Sequence, residues 1–268
     1  MDSPEGWTAD AIHVNGANLQ YYRTGTGPPL VLAHGAYSSG LRWLRLADNL
    51  ADEWELVAYD ARGHGHSDAP ENGYSIDDRI DDLRGLITAL DLDNPALMGH
   101  SMGAGTVAWT AARNSCSPRA VVLVDPLGFH DQPDDDPAER AADAREHAEW
   151  FVGRTVDDVL ANDEHGQLDT ANARRLATAR LNCDPHALAA LAREGYPDSL
   201  AKTFPDIRCP TLVLRADAEV HERVRDFDVT KALQNGRLVH IPDAGHHVFQ
   251  DEFDAAFREL LTFLRRLD

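Results

Sequence analysis

A chain of 268 residues with 43% hydrophobic residues can bury a sizeable core, which excludes an intrinsically disordered protein. Its formal net charge is −20, and only Lys202 and Lys231 among the 25 basic residues are lysines, which excludes nucleic acid and anionic membrane surfaces as partners. The three cysteines lack CxxC spacing, so the sequence predicts neither a disulfide framework nor a cysteine-based zinc site.

The first ten residues are acidic and lack the basic and apolar regions of a signal peptide. No apolar run reaches the roughly 18–20 residues that cross a bilayer. We therefore expect a cytoplasmic protein without a membrane partner, and the sequence leaves a homodimer open. A surface rich in Asp and Glu and poor in Lys resembles that of proteins from salt-loving organisms, in which salt screens the repulsion between like charges.

Short apolar runs alternate with helical patterns along the chain. Residues 11–25 predict an antiparallel hairpin that turns near Asn15-Gly16. Helical periodicity marks residues 40–51, 75–90 and 250–267. Six runs rich in Val, Leu and Ile predict buried parallel strands, over residues 28–35, 55–60, 95–99, 120–125, 210–217 and 237–242. This alternation predicts an α/β fold with a doubly wound, mostly parallel sheet of eight strands.

Residues 127–205 interrupt the alternation, because they contain acidic, Ala-rich helical patterns and no convincing strand. We expect a helical cap inserted after the sixth strand, with residues 1–126 and 206–268 forming the core. Five residues of this segment are candidates for lining a pocket, with helix packing as the favoured alternative: Trp150, Phe151, Leu160, Tyr196 and Phe204.

The pentapeptide GHSMG at 99–103 stands between a predicted strand and a helix-forming stretch. This G-x-S-x-G pattern is typical of a nucleophile on a strained turn, where larger side chains at the glycine positions would clash with the backbone. Ser101 is therefore the candidate nucleophile. The following helix directs backbone N–H groups towards its oxygen.

A serine nucleophile needs a general base and an oxyanion hole. His246 follows the last predicted strand, which places it at the same sheet edge as Ser101, and the adjacent His247 is its rival. The tight turn at His34-Gly35 directs the Ala36 N–H inwards, where it is predicted to pair with the Met102 N–H as an oxyanion donor. A metal site built from His34, His64 and His66 is the weaker interpretation of the histidines, and we expect no metal and no cofactor.

Four segments, HGAYSSG, DARGHGHSD, GHSMG and AGHHVFQDEFDAAF, occur in an order and spacing that resemble the α/β-hydrolase fold family. The resemblance covers the chain outside the cap and implies the order nucleophile, acid, histidine. Because Ser101 replaces the aspartate nucleophile of epoxide hydrolases and haloalkane dehalogenases, it argues against those two activities.

The resemblance implies that the acid follows either the sixth or the seventh strand. Asp125 ends the sixth strand and precedes a proline, which suits a carboxylate that accepts a hydrogen bond from the histidine Nδ1. After the seventh strand, Ala216 replaces a glycine of the usual pattern, so that Glu219 is in register with the family's aspartate and Asp217 comes two positions early. We favour Asp125, and both alternatives stay open.

The resemblance implies a serine hydrolase, a carboxylesterase or lactonase acting on ester-type bonds of a small organic substrate. The same site would serve a C–C bond hydrolase or a cofactor-free haloperoxidase or perhydrolase. The alternative outside catalysis is a ligand receptor built on a hydrolase scaffold.

Overall fold

The computed structural model describes residues 4–114, 116–130, 136–162, 170–195 and 198–267. These residues contain eight strands, namely β1 (Thr8–Val14), β2 (Ala17–Thr24), β3 (Pro29–Ala33), β4 (Glu55–Tyr59), β5 (Ala96–His100), β6 (Ala120–Val124), β7 (Thr211–Arg215) and β8 (Gly236–His240). The strands form one sheet in the order β1-β2-β4-β3-β5-β6-β7-β8. The α/β class, the eight-stranded sheet and all six predicted parallel strands are confirmed.

Ten α-helices occur in the same part of the chain: α1 (Leu44–Leu50), α2 (Ile76–Ala89), α3 (Met102–Ala112), α4 (Pro137–Glu149), α5 (Val156–Ala161), α6 (Thr170–Leu181), α7 (Pro185–Glu194), α8 (Val220–Thr230), α9 (Val248–Asp251) and α10 (Phe253–Leu264). Two 3₁₀ segments, Gly40–Trp43 and Leu200–Asp206, complete the list.

The N-terminal hairpin forms as predicted, with β1 antiparallel to β2. Asn15 and Gly16 have φ values of 46° and 74°, which is the backbone that a tight two-residue hairpin turn requires. Strand β2 also pairs antiparallel with β4, and all later pairs are parallel.

Two of the three predicted helices differ from their patterns at the start. Helix α2 begins where expected, because Ser75 and Asp78 form a capping box at its N-terminus. The 40–51 pattern begins instead as the 3₁₀ segment Gly40–Trp43 and continues as α1. The 250–267 pattern yields α10 only from residue 253, after the separate short helix α9.

The central strands β3 to β7 are buried on both faces of the sheet, which explains why they are continuously apolar in sequence. Alternate residues of β3 illustrate this arrangement, because Val31 belongs to one hydrophobic cluster while Leu30 and Leu32 belong to the cluster on the opposite face. The carboxyl ends of β5, β6 and β7 therefore meet at one edge, where α/β sheets place their sites.

Helices α4 to α7 lie between β6 and β7 in the chain, and no strand occurs in the described part of residues 127–205. Phe151, Val159 and Ala177 form a small hydrophobic cluster within this segment. Leu188 and Leu191 of α7 instead join the main core beneath it. Among the described helices, none combines the length and the apolar character that spanning a membrane requires.

Candidate active site

Ser101 occupies the sharp turn between β5 and α3, with φ 52° and ψ −114°, a backbone region that is strained for a residue with a side chain. A Cβ on Gly99 would overlap the Gly103 backbone, and a Cβ on Gly103 would overlap the Ala33 carbonyl. The predicted reason for both glycines is therefore confirmed. The turn presents the Ser101 side chain at the carboxyl edge of the sheet.

His246 lies in the loop after β8, and its Nε2 is 3.0 Å from Ser101 Oγ. The ring is placed by its neighbour on the nucleophile turn, since His100 Nε2 donates a hydrogen bond of 2.8 Å to the His246 carbonyl. Burial is the main cause that holds the pKa of His100 well below its usual value, and the nearby Arg42 and His246 lower the pKa further. His100 is therefore a neutral donor that ties the histidine loop to the nucleophile turn.

Asp125 lies at the end of β6, and its Oδ2 is 2.6 Å from His246 Nδ1. A histidine nitrogen against a carboxylate carries the proton, which leaves Nε2 to accept the Ser101 hydroxyl proton. The other carboxylate oxygen accepts hydrogen bonds from Arg215 Nη1 at 2.7 Å and from the Ala216 N–H at 3.1 Å. Ser101, His246 and Asp125 thus form one continuous hydrogen-bonded chain.

The two alternative acids, Asp217 and Glu219, make other contacts or occupy other places than the His246 ring. Asp217 accepts hydrogen bonds from the Ala218 and Asp243 N–H groups and pairs with Arg223. These bonds, led by the one from Asp243, hold the pKa of Asp217 below its usual range. Glu219 is the N-cap residue of α8.

The loop that carries Ala36 is held by His34. Its Nε2 accepts a hydrogen bond of 2.9 Å from the Ala61 N–H, so Nδ1 carries the proton and donates it to the Gly35 carbonyl at 2.7 Å. Burial keeps the pKa of His34 well below its usual value, with a further lowering from His64. Ala36 lines the same cavity as Ser101, and Met102 is the first residue of α3, whose N–H has no partner within the helix.

The structure does not favour the metal interpretation of the histidines. Both ring nitrogens of His34 are bound to backbone groups, and His64 Nδ1 contacts the Arg62 carbonyl. Within the described residues, no group of three or more His, Cys, Asp or Glu side chains is arranged to hold a metal ion. His247, the rival base, lines the cavity beside His246 while His246 makes the contact with Ser101.

A cavity of about 240 Å³ opens above Ser101. The cavity wall is formed by the turn after β3, the 3₁₀ segment Gly40–Trp43, the turn that carries Ser101, the loop that carries His246, and helices α4 and α6. The lining residues are Ala36, Tyr37, Ser38, Arg42, His100, Ser101, His147, Leu176, Arg180, His246 and His247.

None of the described pocket candidates from the sequence lines this cavity. Phe151 and Leu160 pack in the small cluster of the inserted helices, and Phe204 is fully buried in the main core. Trp150 is 37% exposed at the surface, and Tyr196 lies outside the described residues. The favoured alternative, helix packing, therefore holds for Phe151, Leu160 and Phe204, whereas the role of Tyr196 stays a prediction.

Sequence reasoning missed three arginines and a histidine of the site. Arg42, His147 and Arg180 line the cavity, and Arg215 binds the acid. Each stands in a helical or strand pattern that equally fits a solvated face. Only Arg215 had a signal in the sequence. It ends a buried strand, and a charged residue in that position requires a partner of opposite charge at the same sheet edge.

Comparisons with known proteins agree with this fold and show the family. A sequence model described as "Alpha/beta hydrolase family" matches residues 30–260. The chain is 27% identical to the 2-(acetamidomethylene)succinate hydrolase of Mesorhizobium japonicum, over 94% of each chain. It is 28% identical to a putative non-heme chloroperoxidase of Synechocystis sp., over 92% of this chain and 95% of that protein. The solved enol-lactonase of Burkholderia xenovorans LB400 superposes with a TM-score of 0.81 at 24% identity, covering 96% of this chain and all of that one (100%).

Proposed function

The chain belongs to the alpha/beta hydrolase family, and we propose that it is a serine hydrolase that cleaves ester or lactone bonds of a small organic substrate through an acyl-enzyme. One observation carries the proposal. The Ser101 hydroxyl, the His246 ring and the Asp125 carboxylate are joined by contacts of 3.0 and 2.6 Å beneath an open cavity. This is the geometry of an activated nucleophile with an oriented base.

In the proposed reaction, His246 Nε2 takes the hydroxyl proton while Ser101 Oγ bonds to the carbonyl carbon. The oxyanion that forms accepts hydrogen bonds from the Ala36 and Met102 N–H groups. As the tetrahedral intermediate collapses, the bond to the leaving oxygen breaks and His246 returns its proton to that oxygen. Water then attacks the acyl-enzyme with His246 again as base, which releases the acid and restores Ser101.

Asp125 has a positional and an electrostatic role in this scheme. Its Oδ2 keeps the proton of His246 on Nδ1 and stabilises the imidazolium that forms after proton transfer. Arg215 and the Ala216 N–H fix the carboxylate from its other oxygen, so its orientation does not depend on His246 alone.

We also propose that residues 127–205 act as a cap that shapes the substrate cavity, with 1–126 and 206–268 as the catalytic core. His147 of α4 and Leu176 and Arg180 of α6 lie in the cavity wall that also contains Ser101. Substrate selection is therefore assigned jointly to the inserted helices and the core residues that share the cavity wall, and the acyl chemistry to the core.

A second candidate activity is supported by the chloroperoxidase relative. In a perhydrolase reaction, hydrogen peroxide would replace water as the attacking group on the acyl-enzyme. The product would be a peracid, which can oxidise halide without any bound cofactor. Peracid formation from acetate esters and hydrogen peroxide, assayed as halide-dependent chlorination, separates this activity from simple hydrolysis.

The test combines labelling with turnover. We expect a fluorophosphonate to modify Ser101 stoichiometrically, identified by peptide mass spectrometry, and the protein to hydrolyse p-nitrophenyl esters or aliphatic lactones. Ser101→Ala should lower kcat by about 10³–10⁶-fold. Ser39→Ala is the matched control, because Ser39 is a nearby serine whose side chain makes no capping hydrogen bond. Near-normal turnover by Ser101→Ala would contradict the proposal, and labelling without turnover would favour a receptor.

A further inference from the structure

The cavity above Ser101 concentrates positive charge in a strongly acidic chain. Two arginines supply this charge, Arg42 from the 3₁₀ segment Gly40–Trp43 and Arg180 from α6. His147 of α4 lies beside them, and burial first, then Arg180, keeps its pKa below the usual value, so its ring is a neutral hydrogen-bonding group. None of the described residues that line it is an aspartate or a glutamate, although the chain has 45 acidic and 25 basic residues. The cavity therefore has a charge opposite to that of the protein as a whole.

Arg42 is the better defined of the two cations. Its guanidinium donates to Ser38 Oγ at 3.3 Å and to Gln250 Oε1 at 2.9 Å, and both acceptors are neutral. Its Nε is buried without a hydrogen-bond partner among the described residues. Burial lowers the pKa of Arg42 to about 10, with the Asp251 carboxylate acting in the opposite direction, so the side chain stays charged at neutral pH.

Two other arginines of the chain are paired with carboxylates. Arg62 contacts both oxygens of Asp82, at 2.6 and 2.5 Å. Arg215 binds two aspartates. Arg42 forms no salt bridge with any described carboxylate, and a half-buried guanidinium whose Nε is shielded from water is unfavourable in that condition unless an anion joins it.

We propose that Arg42, with Arg180 and His147 on the facing helices, binds a free carboxylate of the substrate while Ser101 attacks its ester or lactone carbonyl. This inference rests on the proposed function and specifies its substrate class as small carboxylate-bearing esters, such as half-esters of dicarboxylic acids. The volume of about 240 Å³ lies below the usual range of ligand pockets, which favours a small acid over a long acyl chain.

The planar guanidinium suits a carboxylate because its parallel N–H groups match the two oxygens. A neutral ester of the same shape would cover Arg42 and leave its charge unpaired. The site would therefore select against neutral substrates as well as for anionic ones.

A matched pair of substrates tests this selection. Mono-p-nitrophenyl fumarate carries the carboxylate, and its trans double bond prevents that carboxylate from attacking its own ester. p-Nitrophenyl crotonate replaces the carboxylate by a methyl group. At fixed ionic strength we expect kcat/KM for the fumarate ester to exceed that for the crotonate ester by about 10–100-fold, with the difference mainly in KM.

Variants assign the preference to Arg42. Arg42→Gln should lower the fumarate-to-crotonate ratio by about 10-fold or more and weaken competitive inhibition by free fumarate, and Arg42→Lys should restore part of both. Arg45→Gln is the control, because it removes the same charge three residues away, on α1, from a side chain that does not line the cavity. Circular dichroism and thermal melting establish that each variant folds.

The outcomes separate the two proposals. Hydrolysis of both esters without a preference, or an unchanged ratio in Arg42→Gln, overturns the carboxylate inference and leaves the proposed function standing. Failure of both esters together with an unlabelled Ser101 overturns the proposed function itself. Loss of the ratio equally in Arg45→Gln would reduce the effect to long-range charge and also overturn the inference.

Discussion

Arg215 donates from Nη1 to Asp125 Oδ1 at 2.7 Å, on the carboxylate oxygen that His246 does not contact. Parallel pairing of Val124 with Leu214 creates this relationship, because the next residue of each strand emerges at the same sheet edge. Arg215, at the end of β7, thus holds the carboxylate of Asp125, which follows the end of β6.

The buried carboxylate of Asp226 holds Arg215 in turn. Arg215 Nε donates to Asp226 at 3.0 Å, and Asp226 also contacts His130 and His240. Burial of Asp226 opposes its ionisation, but the charge and hydrogen bonds of Arg215, with the two histidine contacts, outweigh burial and keep its pKa below the usual range. Arg215 therefore lies between the carboxylates of Asp226 and Asp125, and these two contacts fix its position.

We predict that Arg215 is a positioning residue for Asp125. Arg215→Gln should lower kcat by about 10–100-fold, because Asp125 loses a charge-assisted hydrogen bond that orients it. The acid limb of the kcat/KM profile should move to higher pH, since a positive charge near the His246–Asp125 pair is removed. Steady-state kinetics between pH 5 and 9 measure both effects.

The control for this prediction is Arg223→Gln. Arg223 pairs with Asp217 and the Ala218 carbonyl, away from the Ser101–His246–Asp125 chain. It should leave kcat and the pH profile unchanged, whereas Arg215→Lys should restore part of the lost activity. An unshifted profile in a folded Arg215→Gln protein would contradict the positioning role.

Two glycines of α3 should respond in opposite ways to alanine. Gly103→Ala places a Cβ against the Ala33 backbone, so we expect poor folding or a loss of stability of several kcal/mol together with loss of activity. A Cβ on Gly105 meets nothing within 4 Å, and Gly105→Ala should stabilise the helix by up to about 1 kcal/mol. Urea unfolding of both variants checks the pair, and equal effects would contradict the elbow geometry.

Much of the fold was predictable because its strongest signals are local. Parallel strands buried on both faces must be apolar throughout, and Asn15-Gly16 supplies the positive φ values of a hairpin. The strained serine turn needs glycine at fixed positions on either side, which makes Gly99 and Gly103 visible in the sequence. Asp125 was visible in the sequence because it directly follows a continuously apolar strand.

The cavity wall was not predictable, because it depends on how separate helices face one another. Arg42 occupies a helical pattern in which an arginine is normally solvated, and only the fold turns it towards Ser101. The aromatic residues of the inserted segment fitted either a pocket or helix packing, and Phe151 and Phe204 are buried in the packing that the sequence favoured. Composition alone does not distinguish a side chain that fills a core from one that lines a cavity.

Acidification should destabilise the fold through His64. Its side chain is 2% exposed, and this burial is the main cause that lowers the pKa of His64 to about 4. The charge of Arg79 lowers the pKa further, and the hydrogen bond to the Arg62 carbonyl opposes both effects without cancelling them. An unfolded histidine has a pKa near 6.5, so the unfolded chain binds the extra proton between about pH 6.5 and 4. The stabilisation is complete above pH 6.5 and is lost as the pH falls through this window, by up to about 3 kcal/mol for this one residue.

The measurement is the free energy of unfolding against pH for the wild type, His64→Gln and His13→Gln. We expect His64→Gln to flatten the curve between pH 6.5 and 4. His13, which is exposed on β1, should leave the slope unchanged. Parallel curves for the wild type and His64→Gln would show that His64 does not titrate with folding.

Salt should raise the thermal stability of the whole chain. Like-charge repulsion from a net charge of −20 opposes the compact state, and at about 1 M salt the screening length falls to about 3 Å. Exposed ion pairs such as Arg174–Asp157 and Lys202–Asp198 act in the opposite direction, because screening weakens them, but exposed pairs of this kind contribute little to stability.

We expect the Tm to rise by roughly 5 °C between 0.05 and 1 M NaCl, equivalent to about 2 kcal/mol for a domain of this size. Calorimetry in NaCl and in Na₂SO₄ at equal ionic strength separates screening from exclusion of the salt from the protein surface, since screening predicts equal shifts. Replacing four exposed surface aspartates with asparagine should reduce the salt dependence, because less repulsion remains to be screened. A flat or falling Tm would show that the exposed ion pairs outweigh the repulsion, and that the acidic surface is not an adaptation to salt.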